Sequence, residues 1–294
     1  MKISKLNKVL VVYKTTAFNE FEKRAHHHHL KVSIQTFQSQ FPDFMEAHKA
    51  HEYSLKQVLS LLKKHGFLVT LRSRRSSHLK GKYDLVLTVG GDGTFLRASH
   101  TVADELMLGV NSAPGHSVGA LCSVTINELE NKLIQIKKNR FCVSNLNRLQ
   151  IMLNGKPLKM FALNDVLLAN RSPAGTSRYH IKTGGVSEEQ KSSGVWVSTA
   201  SGSTAAIYAA GGSQMPRLSK RIQYLVREAY RSNYPNIKLK KGLIAPGELI
   251  EFTIKMHEAC LFIDGPDGKI PLQFGDHVVI SNASRPLRVI CKKN

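Results

Sequence analysis

The 294-residue sequence predicts an α/β amino-terminal domain with a parallel, Rossmann-like sheet, followed by a mostly β carboxy-terminal domain. Up to about residue 115, short apolar runs alternate with a helical pattern, which is typical of βαβ units. From about residue 140, short strand-like segments separated by turn residues dominate. We therefore expect an α/β domain over 1–120, a mostly β domain over 121–275, and a final segment, 276–294, that returns to the first domain.

In the first half, apolar runs predict strands at 8–13, 67–71, 85–89 and 106–110. Apolar residues at helical spacing predict a helix over 51–65, and Thr94 is a suitable capping residue for a helix running to Ala103. Residues 126–139 predict a helix joining the two halves. Residues 14–40 are polar and show no firm periodicity.

In the second half, Asn154-Gly155 predicts a tight hairpin turn between a strand at 148–153 and a partner at 159–169. Gly184-Gly185 and Asp264-Gly265 mark further turns. Additional strands are predicted at 177–183, 194–198, 249–255, 260–263 and 278–281.

The formal charge of +21 is compatible with nucleic acid, an anionic surface or phosphorylated small molecules. The basic residues are spread along the chain, and the densest group, Arg72 to Arg75, has no interleaved aromatic residues, so specific nucleic-acid binding is not expected. No apolar run is long enough to span a membrane, and no signal peptide is evident. Four scattered cysteines suggest reduced thiols and a cytoplasmic location. The run His26 to His29 is not expected to form a functional metal site.

The strand at 85–89 leads into Gly90-Gly91-Asp92-Gly93-Thr94, where the backbone must adopt unusual angles or approach something closely. A strand, a glycine turn and a helix start together present N–H groups to an anion. Asp92 would repel a phosphate unless a metal screens it or unless it takes a proton from the attacking group. The alternative is that Asp92 only caps the helix. The P-loop and dinucleotide glycine patterns are both absent.

Two further clusters are candidates for ligand binding. Asn164-Asp165 interrupts an apolar strand, where it could bind ribose hydroxyls or simply face water at an edge or bulge. The segment from Val197 to Tyr208 runs from a strand into a turn rich in serine, glycine and threonine and then into an alanine-rich helix. Its hydroxyl and N–H groups suit phosphate or ribose oxygens, although a plain serine cap is the alternative.

The three motifs together resemble the NAD kinase family, in their order and spacing, over roughly residues 80–290. The family's GGDGT motif matches residues 90–94, its Asn-acid motif matches Asn164-Asp165, and its Thr-Gly-Ser-Thr-Ala-Tyr motif matches residues 201–206. Asn111 with its following loop, and the segment 189–194, are more similar to the mitochondrial-type branch and its bacterial relatives.

The resemblance implies an NAD kinase-like fold and transfer of the γ-phosphoryl group of ATP to the 2′-hydroxyl of the adenosine ribose of NAD. It implies that Asp92 activates that hydroxyl, while the turn, Gly90, Gly91, Gly93 and Thr94, holds the donor phosphates. Other positions implied in nucleotide binding are Arg97, Asn111, Asn164, Asp165, Lys191, Ser193, Thr204, Ala205, Ala206 and Ala209. Mg²⁺ or another divalent cation, ATP as donor, and a homodimer or homotetramer without membrane association are also implied.

The sequence departs from the family pattern at three places. Ser193 replaces an acid, Val118 to Leu121 replace Leu-Gly-Phe-Leu, and Ala206 replaces a tyrosine. Lys191 and Tyr208 are candidates to substitute for the lost acid. A lipid or sphingoid-base kinase with the same GGDG turn is one alternative, and a non-catalytic dinucleotide-binding protein is another. The sequence does not decide between NAD and NADH, between ATP and another donor, or between oligomeric states.

Overall fold

The computed structural model of the chain describes residues 6–27, 34–76, 81–230 and 237–292. Strands β1 to β6 lie at Lys8–Tyr13, Leu68–Ser73, Leu85–Gly90, Leu106–Asn111, Val124–Thr125 and Val143–Leu146. Helices α1 to α5 lie at Ala17–His27, Ile34–Gln40, Pro42–Lys64, Asp92–Ser99 and Ile126–Lys137.

The rest of the chain is mostly β. Strands β7 to β19 lie at Leu149–Leu153, Lys156–Pro157, Asp165–Asn170, Ser177–Thr183, Val186–Ser192, Val195–Ser198, Ile222–Val226, Lys241–Ile244, Leu249–Ile254, Ala259–Ile263, Lys269–Leu272, His277–Asn282 and Leu287–Ile290. A 3₁₀ turn at Gly202–Thr204 precedes the one-turn helix α6, Ala206–Ala209.

The chain divides into two compact units: residues 1–144 with 288–294, and residues 145–287. The boundaries expected from the sequence, 120 and 276, differ from these. Residues 121–144 pack in the first unit because Leu129, Leu133 and Ile136 of α5 enter its core. The final segment joins that unit only from residue 288, because β18 pairs with β7 and β15 of the second unit.

The first unit has one sheet in the order β2-β1-β3-β4-β19-β6, with β5 beside β4. The pairings of β1 with β2 and β3, and of β4 with β3, β5 and β19, are parallel, as the sequence predicts. Strands β3 and β4 are buried along their whole length. Their register places Gly90 beside Asn111, so the segments that follow both strands begin at the same edge of the sheet.

The second unit contains two six-stranded sheets, in the orders β11-β10-β15-β18-β7-β8 and β14-β13-β12-β9-β16-β17. Their strands pair antiparallel. One apolar core joins Ile151 and Phe252 of the first sheet with Val166, Val197 and Leu261 of the second, as in a β-sandwich. This arrangement confirms the mostly β second half.

Two predictions about local structure were wrong. Helix α4 begins at Asp92 and is capped by Gly91, so Thr94 lies inside the first turn. The Asn154-Gly155 turn forms at positive φ, but its partner strand is Lys156–Pro157 rather than 159–169. Proline has no N–H to extend that ladder, and the chain continues as β9 in the other sheet.

Residues 14–40, which showed no firm periodicity, contain α1 and α2, where Phe37 contacts both Phe18 and Phe21. The histidine run continues past the end of α1, and His28 and His29 lie outside the described residues. Among the helices that the structure describes, none combines the length and apolarity needed to cross a membrane.

Candidate functional site

The glycine turn depends on close packing rather than on unusual backbone angles. The turn has no positive φ at Gly90, Gly91 or Gly93. A Cβ on Gly90 would lie 2.9 Å from the Cβ of Thr94 and 3.2 Å from that of Lys14, and one on Gly91 would strike the Ser117 hydroxyl. Gly93 is exposed, and a Cβ there would have only the Arg74 Nη1 nearby, at 3.9 Å. The turn is therefore packed tightly behind Gly90 and Gly91 and is open at Gly93.

Asp92 is held by the loop that follows β4. Its Oδ1 accepts the backbone N–H of Leu121 at 2.7 Å, and its Oδ2 accepts that of Ala120 at 3.0 Å. The residues that replace the family's Leu-Gly-Phe-Leu are thus the ones that bind this carboxylate. Sequence reasoning gave Asp92 a chemical role and missed this structural one.

Asn111 organises the same loop. Its Nδ2 donates to the carbonyl of Ser117 at 3.0 Å, and its Oδ1 accepts the N–H of Ala113 at 3.3 Å. Gly119, at φ 62°, passes so close to the Asn111 amide that any side chain there would collide with it. Asp92 and Asn111, two residues singled out from the sequence, are therefore brought together through the loop over residues 112–121.

Two other predicted site residues lie on α4. The hydroxyl of Thr94 is buried without a hydrogen-bond partner in the described part of the chain. Arg97 lies in the last turn of the helix and is half-buried.

In the second unit, Asp165 is buried at the start of β9, a strand paired on both sides. This burial excludes the edge or bulge alternative. Burial first, and then the charge of Asp264, raise the pKa of Asp165 to about 7. The Oδ1 of Asn164 is buried and has no hydrogen-bond partner among the described residues, which leaves an acceptor for a ligand hydroxyl or N–H.

Asp264 is a site-supporting residue that the sequence marked only as part of a turn. Its carboxylate accepts the backbone N–H groups of Leu163, Asn164 and Asp165 at 2.8, 2.7 and 3.0 Å. In return, its own N–H donates to the carbonyl of Asp165 at 3.0 Å. These bonds fix the backbone that carries the Asn-Asp pair. No local pattern signals a partner about 100 residues away.

The serine- and threonine-rich turn packs against the same pair. A Cβ on Gly202 would lie 2.7 Å from the Asn164 Cα, and the Ser201 hydroxyl is buried without a partner. Thr204, Ala206 and Ala209 are exposed, and Ala205 is half-buried. Helix α6 has only four residues, so the predicted alanine-rich helix is too short to supply a useful dipole.

Lys191 and Ser193 lie apart from that cluster. The register of β12 on β9 pairs Ser198 with Asp165 and Val195 with Leu168. Ser193 precedes β12 and therefore lies past the end of β9 opposite to Asp165, at least about 13 Å from Asp165. Ser193 lines a small pocket of about 130 Å³ with Asn170, Arg171 and Arg227. Of the predicted residues in this unit, the structure brings Asn164, Asp165 and residues 201–206 together, but not Lys191 or Ser193.

Comparison with known proteins agrees with these motifs. The profile of the ATP-NAD kinase N-terminal domain matches residues 15–141. A probable NADH kinase of Oryza sativa subsp. japonica is 35% identical over 72% of this chain and 72% of its own length. An NADH kinase of Arabidopsis thaliana is 34% identical over 82% of this chain and 83% of its own.

The chain belongs to the NAD kinase family.

Solved structures of the family have the same fold. An NAD kinase from Archaeoglobus fulgidus, in complex with ATP, superposes with a TM-score of 0.69 at 19% identity and covers 97% of this chain and 94% of its own. Yeast NADH kinase, complexed with NADH, superposes with a TM-score of 0.66 at 18% identity. The match covers 99% of this chain and 85% of the yeast chain. The predicted fold class is confirmed.

The residues that the structure describes do not form a preformed metal centre. No group of three or more metal-ligating side chains exists within the described ranges 6–27, 34–76, 81–230 and 237–292. In the turn, the oxygens of Asp92 already accept two N–H groups. Mg²⁺ is commonly held by one or two carboxylates together with substrate phosphates and waters. The residues therefore fit a cation that arrives with its nucleotide.

Proposed function

We propose that this chain transfers the γ-phosphoryl group of ATP to the 2′-hydroxyl of the adenosine ribose of a nicotinamide dinucleotide, forming NADP or NADPH. The observation that carries the proposal is Asp92, fixed in the family's glycine turn at the carboxyl end of β3. Family membership supports the reaction class and disfavours the lipid-kinase alternative.

Asp92 would take the proton of the attacking hydroxyl. A ribose hydroxyl is a weak nucleophile near neutral pH, and a positioned carboxylate lowers the barrier as the proton leaves. The N–H bonds from Ala120 and Leu121 orient the carboxylate while each oxygen keeps a further lone pair. Gly90, Gly91, Gly93 and Thr94 would hold the donor phosphates, and Mg²⁺ bound with ATP would neutralise charge on them.

Asn164 and Asp165 would hold the dinucleotide. The unpartnered Oδ1 of Asn164 can accept a hydrogen bond from the ligand. Asp165, with a pKa near 7, is present both as the acid and as the carboxylate at neutral pH, so it can donate to or accept from a hydroxyl. Arg97, Asn111, Thr204, Ala205, Ala206 and Ala209 would complete contacts with the nucleotides.

The test is formation of NADP or NADPH from NAD or NADH with ATP and Mg²⁺. Asp92→Asn keeps the size of the side chain and one acceptor oxygen but removes the base, so we expect a fall in kcat of about 10²–10⁴-fold. Asp267→Asn, at an exposed position, is the control and should retain full activity. Full activity of Asp92→Asn would refute its role. Binding of NAD without any product from the wild type would favour the non-catalytic alternative.

A specific observation favours NADH as the acceptor. The pocket at Ser193 is lined by Arg171 and Arg227 and by no carboxylate, although Glu228 lies 3.8 Å from Arg227. If this pocket receives the nicotinamide end, it disfavours the positively charged ring of NAD relative to the neutral ring of NADH. Ser193→Asp should then shift the ratio of kcat/KM several-fold toward NAD, whereas Ser193→Asn should not. An unchanged ratio would contradict the assignment.

A homodimer or homotetramer is part of the proposal. Ser193 and Lys191 lie far from Asn164 in the same unit, so they would serve a dinucleotide held by a partner subunit. Sedimentation equilibrium measures the assembly directly, and a monomer at assay concentration would overturn this point. A cytoplasmic location is supported by four cysteines that form no disulfide.

A further inference from the structure

Beyond the glycine turn, we infer that Lys14 and Arg74 bind the phosphates of the phosphoryl donor. This inference rests on the proposed function and assigns the binding of the donor phosphates to these two cations. Neither residue belongs to the three motifs that resemble the NAD kinase family, although Arg74 lies in the basic group Arg72 to Arg75.

The placement of both residues follows from the sheet. Strands β2, β1 and β3 are adjacent and parallel, and Arg74, Lys14 and the glycine turn follow their carboxyl ends. The N–H of Arg74 donates to the carbonyl of Tyr13 at 2.9 Å, and that of Lys14 donates to Val89 at 3.0 Å. Open α/β sheets bind ligands at this edge.

Lys14 and Arg74 have no carboxylate partner among the residues that the structure describes. Both are half-buried. In the same unit, Asp92 accepts two backbone N–H groups and Glu20 pairs with Arg75 at 2.5 Å. Burial, and then the charge of Arg74, lower the pKa of Lys14. Two half-buried like charges are unfavourable without a counterion, which an anionic ligand would supply.

The surroundings favour a phosphate. A Cβ on Gly93 would meet nothing within 4 Å except the Arg74 guanidinium, so the space beside Gly93 is open and bounded by a cation. The first turn of α4 adds its dipole, and the buried hydroxyl of Thr94 has no partner there. His51 contributes no charge near neutral pH, because burial first and then the charge of Lys14 lower its pKa to about 4.

The alternative is that both residues are ordinary surface cations. Arg72, on strand β2 two residues before Arg74, is exposed and provides a matched control for Arg74. Lys8, at the opposite end of β1, is exposed and provides one for Lys14. Lys14→Arg keeps the charge and tests whether the charge itself matters.

The experiment measures donor and acceptor kinetics and the binding of inorganic tripolyphosphate by calorimetry. Lys14→Met and Arg74→Met should each raise the KM for ATP at least tenfold and weaken tripolyphosphate binding to a similar extent, with the KM for the dinucleotide unchanged within twofold. Lys14→Arg, Lys8→Met and Arg72→Met should stay close to the wild type. A purely structural role would change the melting temperature but leave the KM for ATP unaltered.

The inference is overturned if Lys14→Met and Arg74→Met bind tripolyphosphate as the wild type does, or if the control variants lose as much affinity. Calorimetry needs no turnover, so it decides the inference even if the wild type makes no NADP or NADPH. Absence of product from the wild type would refute the proposed function but not this inference.

Discussion

The carboxylate of Asp264 accepts the backbone N–H of Asp165 at 3.0 Å, so two acidic residues meet at the start of β9. Burial and the charge of Asp264 together raise the pKa of Asp165 to about 7. The folded protein therefore retains a proton that the unfolded chain releases near pH 4. As a result, this carboxyl group lowers the free energy of unfolding as the pH rises from about 4 to about 7.

Asp165→Asn removes that titration. We expect the difference in free energy of unfolding, Asp165→Asn minus wild type, to increase by about 3–4 kcal/mol between about pH 4 and pH 8. Urea unfolding of both proteins, without ligand, at several pH values measures the difference. Asp267→Asn, whose side chain is exposed, should differ from the wild type by a constant amount. A constant difference for Asp165→Asn would contradict the raised pKa.

The glycines of the turn should differ in their tolerance of alanine. Gly90→Ala should lower the free energy of unfolding by about 1–3 kcal/mol, because its Cβ would press on Thr94 and Lys14. Gly93→Ala should leave stability unchanged or raise it by up to about 1 kcal/mol, since the position is open and helical. Thermal unfolding compares the two, with Gly115→Ala, which meets nothing within 4 Å, as control. Equal losses at Gly90 and Gly93 would show that packing does not explain these glycines.

Helix α5 begins with a capping box. The N–H of Thr125 donates to Glu128 at 2.8 Å, and its hydroxyl donates to the same carboxylate at 3.0 Å. Thr125→Ala should therefore destabilise the protein by about 0.5–2 kcal/mol, as loss of a helix cap does elsewhere. Thr125→Ser retains the hydroxyl and should recover most of the loss in chemical denaturation. Failure of serine to recover it would locate the effect in the methyl group instead.

Arg148 is fully buried in the second unit. Its Nε donates to the carbonyl of Arg285 at 3.0 Å, and its guanidinium lies 4.4 Å from the centre of the Phe161 ring. Lysine keeps the charge but not the planar group, so Arg148→Lys should lower the free energy of unfolding, measured in urea, by about 1–3 kcal/mol. Arg178→Lys, at an exposed position of β10, should cost almost nothing. Comparable behaviour of the two variants would be evidence against a structural role for Arg148.

The sequence predicted those features that depend on local pattern. Continuous apolar runs gave β1, β3 and β4, and β10 was predicted with the bounds that the structure has. The Asn154-Gly155 turn also formed, but its partner strand is only Lys156–Pro157, because the proline cannot extend the ladder and the chain continues as β9 in the other sheet. The short apolar strand β13, Ile222–Val226, was missed although its composition is typical of a buried strand.

In the candidate site, too, local sequence patterns predict some features and not others. The motifs located Asp92, Asn164 and Asp165 from their neighbours in sequence. The supports of these residues come from elsewhere: Ala120 and Leu121 for Asp92, and Asp264 for the pair. A backbone N–H group leaves no signal in the sequence, so these supports required the structure.

The position of β19 has a consequence for synthesis on the ribosome. Its pairs, Arg288 with Leu106 and Val289 with Met107, join β19 to a strand made some 180 residues earlier. The contiguous second unit can emerge and fold first, while β4 pairs only with β5 along this edge and stays unpaired at Leu106 and Met107. Translation that stops before residue 287 would release a chain in which this part of the strand edge is exposed and can pair with another chain, so β19 protects the first unit from aggregation.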